Sequence, residues 1–260
     1  MLLEGRVAIV AGAGPGLGRE IALALARHGA DVVLGAPRVD EVLSVAEDIR
    51  ALGRRAAALP LDIGDVESCE SLVKACDETF GHLDVLVNNS LDDGGVWSVD
   101  DDDDLDEWRG TMDAYLWGAL QMTRAAVCPM KERRDGRIVF LNAAPTWRHQ
   151  PGYGAHGVAT AALESATRTL AGELGPHGIR VNGVRPGYIW GPSVKARLRA
   201  VASERGTTPE EIYREVTAAS CLGYLPRAAE VARSVLFLVS DLSSPVTGQS
   251  IGVDAGQWMR

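Results

Sequence analysis

Four glycines near the start of the chain are spaced so that they could bind a phosphate group. They stand in the order Gly12-Ala13-Gly14-Pro15-Gly16-Leu17-Gly18, between an apolar run and a run with helical spacing. Glycine permits a tight turn and lets a pyrophosphate approach the backbone N–H groups at the positive end of a helix. Between the first strand and first helix of a doubly wound sheet, such a cluster indicates a dinucleotide site. The alternative is a glycine-rich turn without a ligand.

The end of the second predicted strand bears on which dinucleotide would bind. An acid at this place would accept the ribose hydroxyls of NAD and repel a 2′-phosphate. The chain reads Leu34-Gly35-Ala36-Pro37-Arg38, with no acid at Ala36 and a guanidinium two residues later. A guanidinium can pair with a phosphate through two hydrogen bonds, so Arg38 favours NADP(H) over NAD(H). The alternative is that Arg38 is a solvated residue at the start of a helix.

Strand-length apolar runs alternate with helical stretches along the whole chain. The predicted strands cover residues 6–11, 31–34, 55–59, 83–88, 137–141, 179–184 and 249–253. The predicted helices cover residues 16–28, 39–52, 65–80, 105–133, 154–174 and 228–240, with a polar helical insertion at 193–220. This alternation indicates a parallel sheet covered on both faces. We predict an α/β fold, a Rossmann-type doubly wound parallel seven-stranded sheet, in a single domain spanning residues 1–260.

Composition excludes several classes of function. The 260 residues include 26 Lys and Arg against 35 Asp and Glu, for a net charge of −9. Such an acidic chain is not expected to bind nucleic acid, which needs a cationic face. No apolar run approaches the ~20 residues of a membrane helix, and the first residues lack a signal-peptide layout. We therefore expect a cytoplasmic protein with no membrane partner.

Neither the cysteines nor the densest acidic run predicts a metal site. The cysteines lack the spacing of metal ligands, and we interpret all four as reduced core thiols: Cys69, Cys76, Cys128 and Cys221. Seven of the eight positions from Asp100 to Glu107 are acidic. Carboxylates oppose the positive end of a helix, so this run favours a solvated helix entrance over a cation site.

The glycine spacing Gly12-x3-Gly16-x-Gly18 resembles that of the short-chain dehydrogenase/reductase family. Five further blocks extend the resemblance over almost the whole chain: Leu61-Asp62-Ile63; Asp84-Val85-Leu86-Val87-Asn88-Asn89; Gly136-Arg137-Ile138-Val139; Ile179-Arg180-Val181-Asn182 with Arg185-Pro186-Gly187-Tyr188-Ile189; and Thr247-Gly248-Gln249-Ser250-Ile251 with Val253-Asp254-Ala255-Gly256. The resemblance implies hydride transfer between nicotinamide and a carbonyl or alcohol carbon. It also implies cofactor contacts at Gly12, Gly16, Leu17, Gly18, Asp62, Ile63, Asn89, Pro186, Gly187 and Ile189.

The catalytic positions implied by the resemblance all hold other residue types. The family's Ser falls on Ala143, its Asn on Tyr115, its Tyr on His156 and its Lys on Thr160. Ala143 offers no hydrogen bond to a developing oxyanion, a contact typically worth ~10²–10³ in rate. Thr160 carries no charge, although its hydroxyl could still reach the cofactor's ribose. A standard ketoreductase mechanism is therefore not expected.

Two residues could replace the missing proton relay. His156 stands at the family's Tyr position, and an imidazole with a reference pKa of ~6.5 can give or take a proton. Tyr153 stands seven residues before Thr160, a spacing similar to the Tyr-x6-Lys of the enoyl-acyl-carrier-protein reductases. It could orient a thioester or another carbonyl. The alternatives are a hydrogen-bonded remnant for His156 and a packed aromatic at a helix start for Tyr153.

The segment of about residues 188–220 resembles the family's substrate lid. Tyr188 and Trp190 there indicate a small-molecule substrate with an apolar part, although both could be packing residues. Three cations in the segment, Lys195, Arg197 and Arg199, are interpreted as solvated. A stripe of small residues recurs every three or four positions in the predicted helix over 154–174: Ala155, Ala159, Ala162 and Ala166. Such a stripe suits the helix-pairing interface of the family's homo-oligomers, which implies a dimer or tetramer. The alternative is that this face packs on the sheet.

The sequence thus predicts a nicotinamide-dependent oxidoreductase that acts on a carbonyl, alcohol or enoyl substrate through a non-standard proton relay. Two alternatives stay open, because a fold does not determine a function. One is a dinucleotide-binding pseudoenzyme or sensor. The other is a non-redox enzyme on the same scaffold.

Overall fold

A computed structural model of the chain describes residues 1–89, 104–143 and 152–258. Its seven-stranded sheet has the order β3-β2-β1-β4-β5-β6-β7, with every neighbouring pair parallel. The strands are β1 Val7–Ala11, β2 Asp31–Ala36, β3 Ala56–Pro60, β4 Val85–Asn88, β5 Gly136–Leu141, β6 Ile179–Pro186 and β7 Ser250–Val253. The strand order reverses between β1 and β4, which confirms the predicted doubly wound Rossmann-type sheet.

Helices cover both faces of this sheet. Those within the described residues are α1 Leu17–Arg27, α2 Asp40–Ala51, α3 Val66–Phe80, α4 Asp104–Met112, α5 Gly118–Arg133, α6 Gly154–Leu174, α7 Pro192–Arg205, α8 Pro209–Ala218 and α9 Ala228–Val239. One buried layer joins the sheet to α1, α2 and α9, and the other joins it to α3, α5 and α6. Two layers form because successive side chains of a strand point to opposite faces of the sheet. In β1, Ile9 faces one layer while Ala8 and Val10 face the other.

Two predicted helices are divided in the structure. The helix predicted over 105–133 contains a π-helical turn at Asp113–Trp117, between α4 and α5. The insertion predicted over 193–220 folds as α7 and α8. Gly206 ends α7 with a φ of 64°, and Thr208 begins α8 by exchanging hydrogen bonds with Glu211 in a capping box.

The prediction of four core thiols is wrong for two cysteines. Cys69 and Cys76 on α3 are buried, and burial raises the pKa of their thiols to about 11 and about 12. Cys128 and Cys221 are exposed free thiols. Cys128 is exposed because it lies off the buried stripe of α5, whereas Cys221 lies in the turn after α8.

The structure also describes part of the acidic run and the stripe of small residues on α6. Asp100–Asp103 lie outside the described residues, while Asp106 on α4 is exposed and paired with Arg109. Ala155 and Ala159 are buried within the chain itself. Across the part of the chain that the structure describes, no helix has the length and apolar character to cross a bilayer.

Candidate functional site

The glycine turn between β1 and α1 can be built only with glycine at its critical positions. Gly16, directly before α1, has a φ of 105°, a backbone conformation that other residues rarely adopt. A Cβ on Gly18 would lie 2.1 Å from the carbonyl oxygen of Gly12. The turn therefore lies tight against the first turn of α1, where unpaired helix N–H groups favour an anion.

A cavity of about 720 Å³ lies beside this turn, at the carboxyl ends of β1 to β4. Its volume is within the range of ~300–1,000 Å³ that is usual for small-molecule and cofactor sites. It brings together seven of the predicted cofactor residues: Gly12, Leu17, Gly18, Arg38, Asp62, Ile63 and Asn89. It lies where the strand order reverses, which is where ligands bind in open α/β sheets.

Asn89 borders this cavity and holds the glycine turn in place. Its amide nitrogen donates to the carbonyl oxygen of Gly12 at 2.7 Å, which fixes the side chain against the glycine turn. Its Oδ1 is buried and has no hydrogen-bond partner among the described residues. The glycine turn, the start of α1 and a cavity of cofactor size together supply what a pyrophosphate needs. The residues present therefore fit a dinucleotide.

Arg38 does not stand alone at the mouth of the cavity. Its guanidinium forms an ion pair with the carboxylate of Glu41, three residues later on α2. Glu41 also lines the cavity, and its Oε2 lies 3.8 Å from the position a Cβ would take on Gly14. The sequence interpretation missed Glu41, although its spacing from Arg38 was visible.

Thr160 does not face the cavity as expected. The side chain is fully buried, and its hydroxyl donates to the carbonyl oxygen of His156, one turn earlier on α6, at 2.8 Å. The helix backbone thus takes the proton of this hydroxyl, whereas a contact of its oxygen with a ribose stays a prediction. The other predicted cofactor residues that do not line the cavity are Gly16, Pro186, Gly187 and Ile189.

Three aromatic side chains meet at the start of α6. The His156 ring contacts Tyr115 edge-on with centroids 4.6 Å apart, and Tyr153 lies 6.2 Å from His156 in the same arrangement. Burial lowers the pKa of His156, so the imidazole is neutral at neutral pH. Tyr115 comes from the π-helical turn, a feature often found at functional sites.

Arg197 reaches this cluster from α7. Its Nη1 donates a hydrogen bond to the Tyr153 hydroxyl oxygen at 2.5 Å, and the guanidinium lies 5.6 Å from the centroid of the Tyr153 ring. The interpretation of Arg197 as merely solvated missed this contact, although much of the side chain is exposed. Because Arg197 donates, the Tyr153 oxygen accepts, and the tyrosine's own proton is left to point elsewhere.

Comparisons with known proteins agree on the kind of chain this is. A family model described as "Enoyl-(Acyl carrier protein) reductase" matches residues 12–257. The oxidoreductase UcpA of Salmonella typhimurium is 33% identical over 257 residues, 98% of this chain and 95% of that protein. The 3-oxoacyl-[acyl-carrier-protein] reductase FabG of Thermotoga maritima is 30% identical over 258 residues, 98% of this chain and 99% of that protein.

A solved structure extends the similarity to three dimensions. The crystal structure of NAD+-bound xylitol dehydrogenase matches with a TM-score of 0.91 at 25% sequence identity. The match covers 98% of this chain and 100% of that chain.

Proposed function

Because the chain belongs to the short-chain dehydrogenase/reductase family of oxidoreductases, we propose that it transfers hydride between a nicotinamide dinucleotide and a small carbonyl, alcohol or enoyl substrate. The observation that carries the proposal is the open cavity beside the glycine turn. The bound dinucleotide would supply the hydride acceptor or donor. The chain's own residues would hold it and would move the proton.

We propose NADP(H) as the favoured cofactor, with the preference reduced by Glu41. Arg38 is the only cationic side chain among the described residues that line the cavity, and a 2′-phosphate needs such a partner. Glu41 already pairs with this guanidinium, so a phosphate would have to compete with the carboxylate. The N–H groups of the glycine turn would hold the pyrophosphate, and Asp62 and Ile63 would border the adenine.

Tyr153 is the favoured proton donor and acceptor. The hydrogen bond from Arg197 leaves the Tyr153 proton available to a substrate oxygen, and the same contact would support the oxygen when that proton has left. His156 is less suited to donate, because its lowered pKa keeps it neutral near neutral pH. It would instead help to fix the Tyr153 ring by packing between it and Tyr115.

A second candidate function is dinucleotide binding without redox turnover. Ala143 and Thr160 favour it, because the side chain of the first has no donor for an oxyanion and the hydroxyl of the second donates to the helix backbone. Members of this family typically bind small-molecule substrates and form oligomers. We propose both properties for this chain, which would form a homo-oligomer.

The test combines cofactor binding with turnover of the same preparations. NADPH and NADH binding is measured by calorimetry, and nicotinamide absorbance is followed on a panel of ketones, alcohols, and acyl and enoyl thioesters. We expect binding and slow turnover. Tyr153→Phe should lower kcat by about 10²–10⁴, the usual range for a lost general acid, with little effect on cofactor binding.

Matched variants separate the roles. Tyr224→Phe removes a hydroxyl that instead bonds Glu230, and it should leave kcat unchanged. His156→Phe should retain more activity than Tyr153→Phe, and the reverse order would assign the proton to His156. Binding without any turnover would favour the second candidate function. Turnover without a change in nicotinamide absorbance would indicate a non-redox enzyme.

A further inference from the structure

Helix α7 is strongly basic in an otherwise acidic chain. Its 14 residues include four cations and a single carboxylate, whereas the whole chain has a net charge of −9. Its first turn contains no acid, and Lys195 stands at its fourth position, although the positive end of a helix favours carboxylates there. Positions that break such a local preference are often functional sites. The positive charge of α7 is therefore a candidate functional feature.

Three of the four cations of α7 have no carboxylate partner. Lys195, Arg197 and Arg199 form no ion pair with any residue that the structure describes. The ammonium of Lys195 instead lies 5.0 Å from the centroid of the Trp190 ring. The fourth cation, Arg205, pairs with Glu215 on α8 at 3.0 Å, so this neighbouring carboxylate is already matched. Most of the charge of α7 is thus left to attract an anion.

Arg197 is the cation of α7 that contacts the candidate catalytic cluster. Its Nη1 donates to the Tyr153 hydroxyl oxygen at 2.5 Å, and its guanidinium lies 5.6 Å from the centroid of the Tyr153 ring. A guanidinium has five N–H donors in a planar fork. Within residues 1–89, 104–143 and 152–258, Arg197 donates no other hydrogen bond. It therefore has donors left for a second acceptor beside Tyr153.

The contact with Tyr153 limits where this second acceptor can lie. Acceptors bound to one guanidinium lie within roughly 7 Å of each other, because each is about 2.8 Å from a nitrogen of the same rigid, planar group. One of these acceptors is the hydroxyl of Tyr153, the favoured proton donor. With C–C bonds of about 1.5 Å, an anionic group in this range is within about three bonds of the reacting carbon.

We propose that Arg197 binds a carboxylate of the substrate, so that the substrate is a short oxo acid or hydroxy acid. This inference rests on the proposed function, since it names the substrate class for the same site. The planar fork matches a carboxylate, which accepts parallel hydrogen bonds from it. One guanidinium would then contact both the proton donor and the substrate, and would fix the carbonyl oxygen beside the Tyr153 hydroxyl. Esters of the same acids would lose this contact.

The test compares acids with esters of the same carbon chain. The first readout is kcat/KM for 2-, 3- and 4-oxopentanoate, each divided by kcat/KM for its methyl ester. Loss of Arg197 also affects Tyr153 and slows both compounds, so this ratio isolates the contact with the carboxylate. The second readout is binding of 4-oxopentanoate to the full chain, by ligand-observed NMR. NADP+ is added there, because the oxidised cofactor cannot reduce the ketone.

In the unchanged chain, at least one of the three acids should be preferred over its ester by about five- to tenfold. This factor is at the low end for a hydrogen bond to a charged group, because Arg197 is exposed. Arg197→Gln should abolish the preference and weaken the binding of 4-oxopentanoate by a similar factor. Arg197→Lys keeps the charge without the fork, and it should retain part of both.

Arg199→Gln is the matched control. It removes the same charge from an exposed position of the same helix that has no contact with Tyr153. It should change the ratio of acid to ester by less than about twofold, since exposed charges farther from the site are screened. An equal loss in Arg199→Gln and Arg197→Gln would overturn the specific contact. A ratio that survives Arg197→Gln would overturn it as well.

The carboxylate site and the oxidoreductase proposal can fail separately. Turnover that favours the esters, or treats both kinds of compound alike, would overturn the carboxylate site and leave the oxidoreductase proposal standing. If no compound is turned over, the oxidoreductase proposal fails and the binding readout decides the carboxylate site. Loss of 4-oxopentanoate binding in Arg197→Gln but not in Arg199→Gln would then support the site. Unchanged binding in Arg197→Gln, or no binding to the unchanged chain, would overturn it.

Discussion

Replacing Glu41 by Gln tests how the chain chooses between the two dinucleotides. The change removes one negative charge at the cavity mouth and keeps the size of the side chain. It also frees the guanidinium of Arg38 from its ion pair. Both effects favour a bound 2′-phosphate, so we expect the affinity for NADPH to rise.

The magnitude follows from the exposure of the pair. The side chain of Arg38 is 73% exposed and that of Glu41 is 28% exposed, so a water-like dielectric applies. Two unit charges ~4 Å apart then interact by about 1 kcal/mol, and a phosphate carries about 1.5 to 2 charges. Loss of the Glu41 charge should therefore favour NADPH by about 1–2 kcal/mol, which is about five- to thirtyfold in Kd.

The assay is calorimetric titration of both cofactors at low and at physiological salt. NADH has no 2′-phosphate, so its Kd should change by less than about threefold. Screening at physiological salt should make this change smaller still. Glu47→Gln removes a carboxylate from an exposed position of the same helix outside the cavity wall, and it should shift neither Kd. An unchanged ratio of the two affinities in Glu41→Gln would refute the assignment of Arg38 to the phosphate.

Two further predictions concern the folded state. Burial lowers the pKa of His156 in the folded chain below the ~6.5 of the unfolded chain, so stability is full above pH ~6.5 and declines as the pH falls below it. Urea unfolding at several pH values should show that His156→Gln flattens this part of the decline, and a curve parallel to that of the unchanged chain would contradict it. Asp84 is 1% exposed and accepts hydrogen bonds from Val7 N–H at 2.8 Å and Arg6 at 3.2 Å. Asp84→Asn should therefore lower the free energy of unfolding by about 2–4 kcal/mol, while the exposed Asp106→Asn should change it by less than about 0.5 kcal/mol.

The sequence predicted the sheet and the glycine turn because their signals are local. The strand β1 is a continuous apolar run, and the positive φ of Gly16 is one that glycine readily adopts in a tight turn. The division of the 193–220 insertion also has local signals, because Gly206 ends α7 and the Thr208–Glu211 capping box begins α8. The overall polarity of the insertion and the weak hydrophobic periodicity of α7 hid these signals.

The contacts of the candidate catalytic cluster could not be predicted in the same way. Arg197 and Tyr153 are 44 residues apart, and their contact depends on how α7 lies against the start of α6. The position of Tyr115 was found by comparison with a family motif, but its contact with His156 required coordinates. The exposure of Cys128 depends on which face of α5 meets the sheet, which the composition of that helix does not reveal.

The π-helical turn at Asp113–Trp117 corresponds to one residue inserted into an otherwise regular α-helix. One residue of a helix corresponds to a rotation of about 100°. Deleting one residue from the turn would therefore rotate α4 about the helix axis, while α5 kept its packing on the sheet. Tyr115 would then lose its partner ring without any change in its own identity. The number of residues in this turn thus sets the direction of the side chains that precede α5. A single deletion here would change the site more than most substitutions.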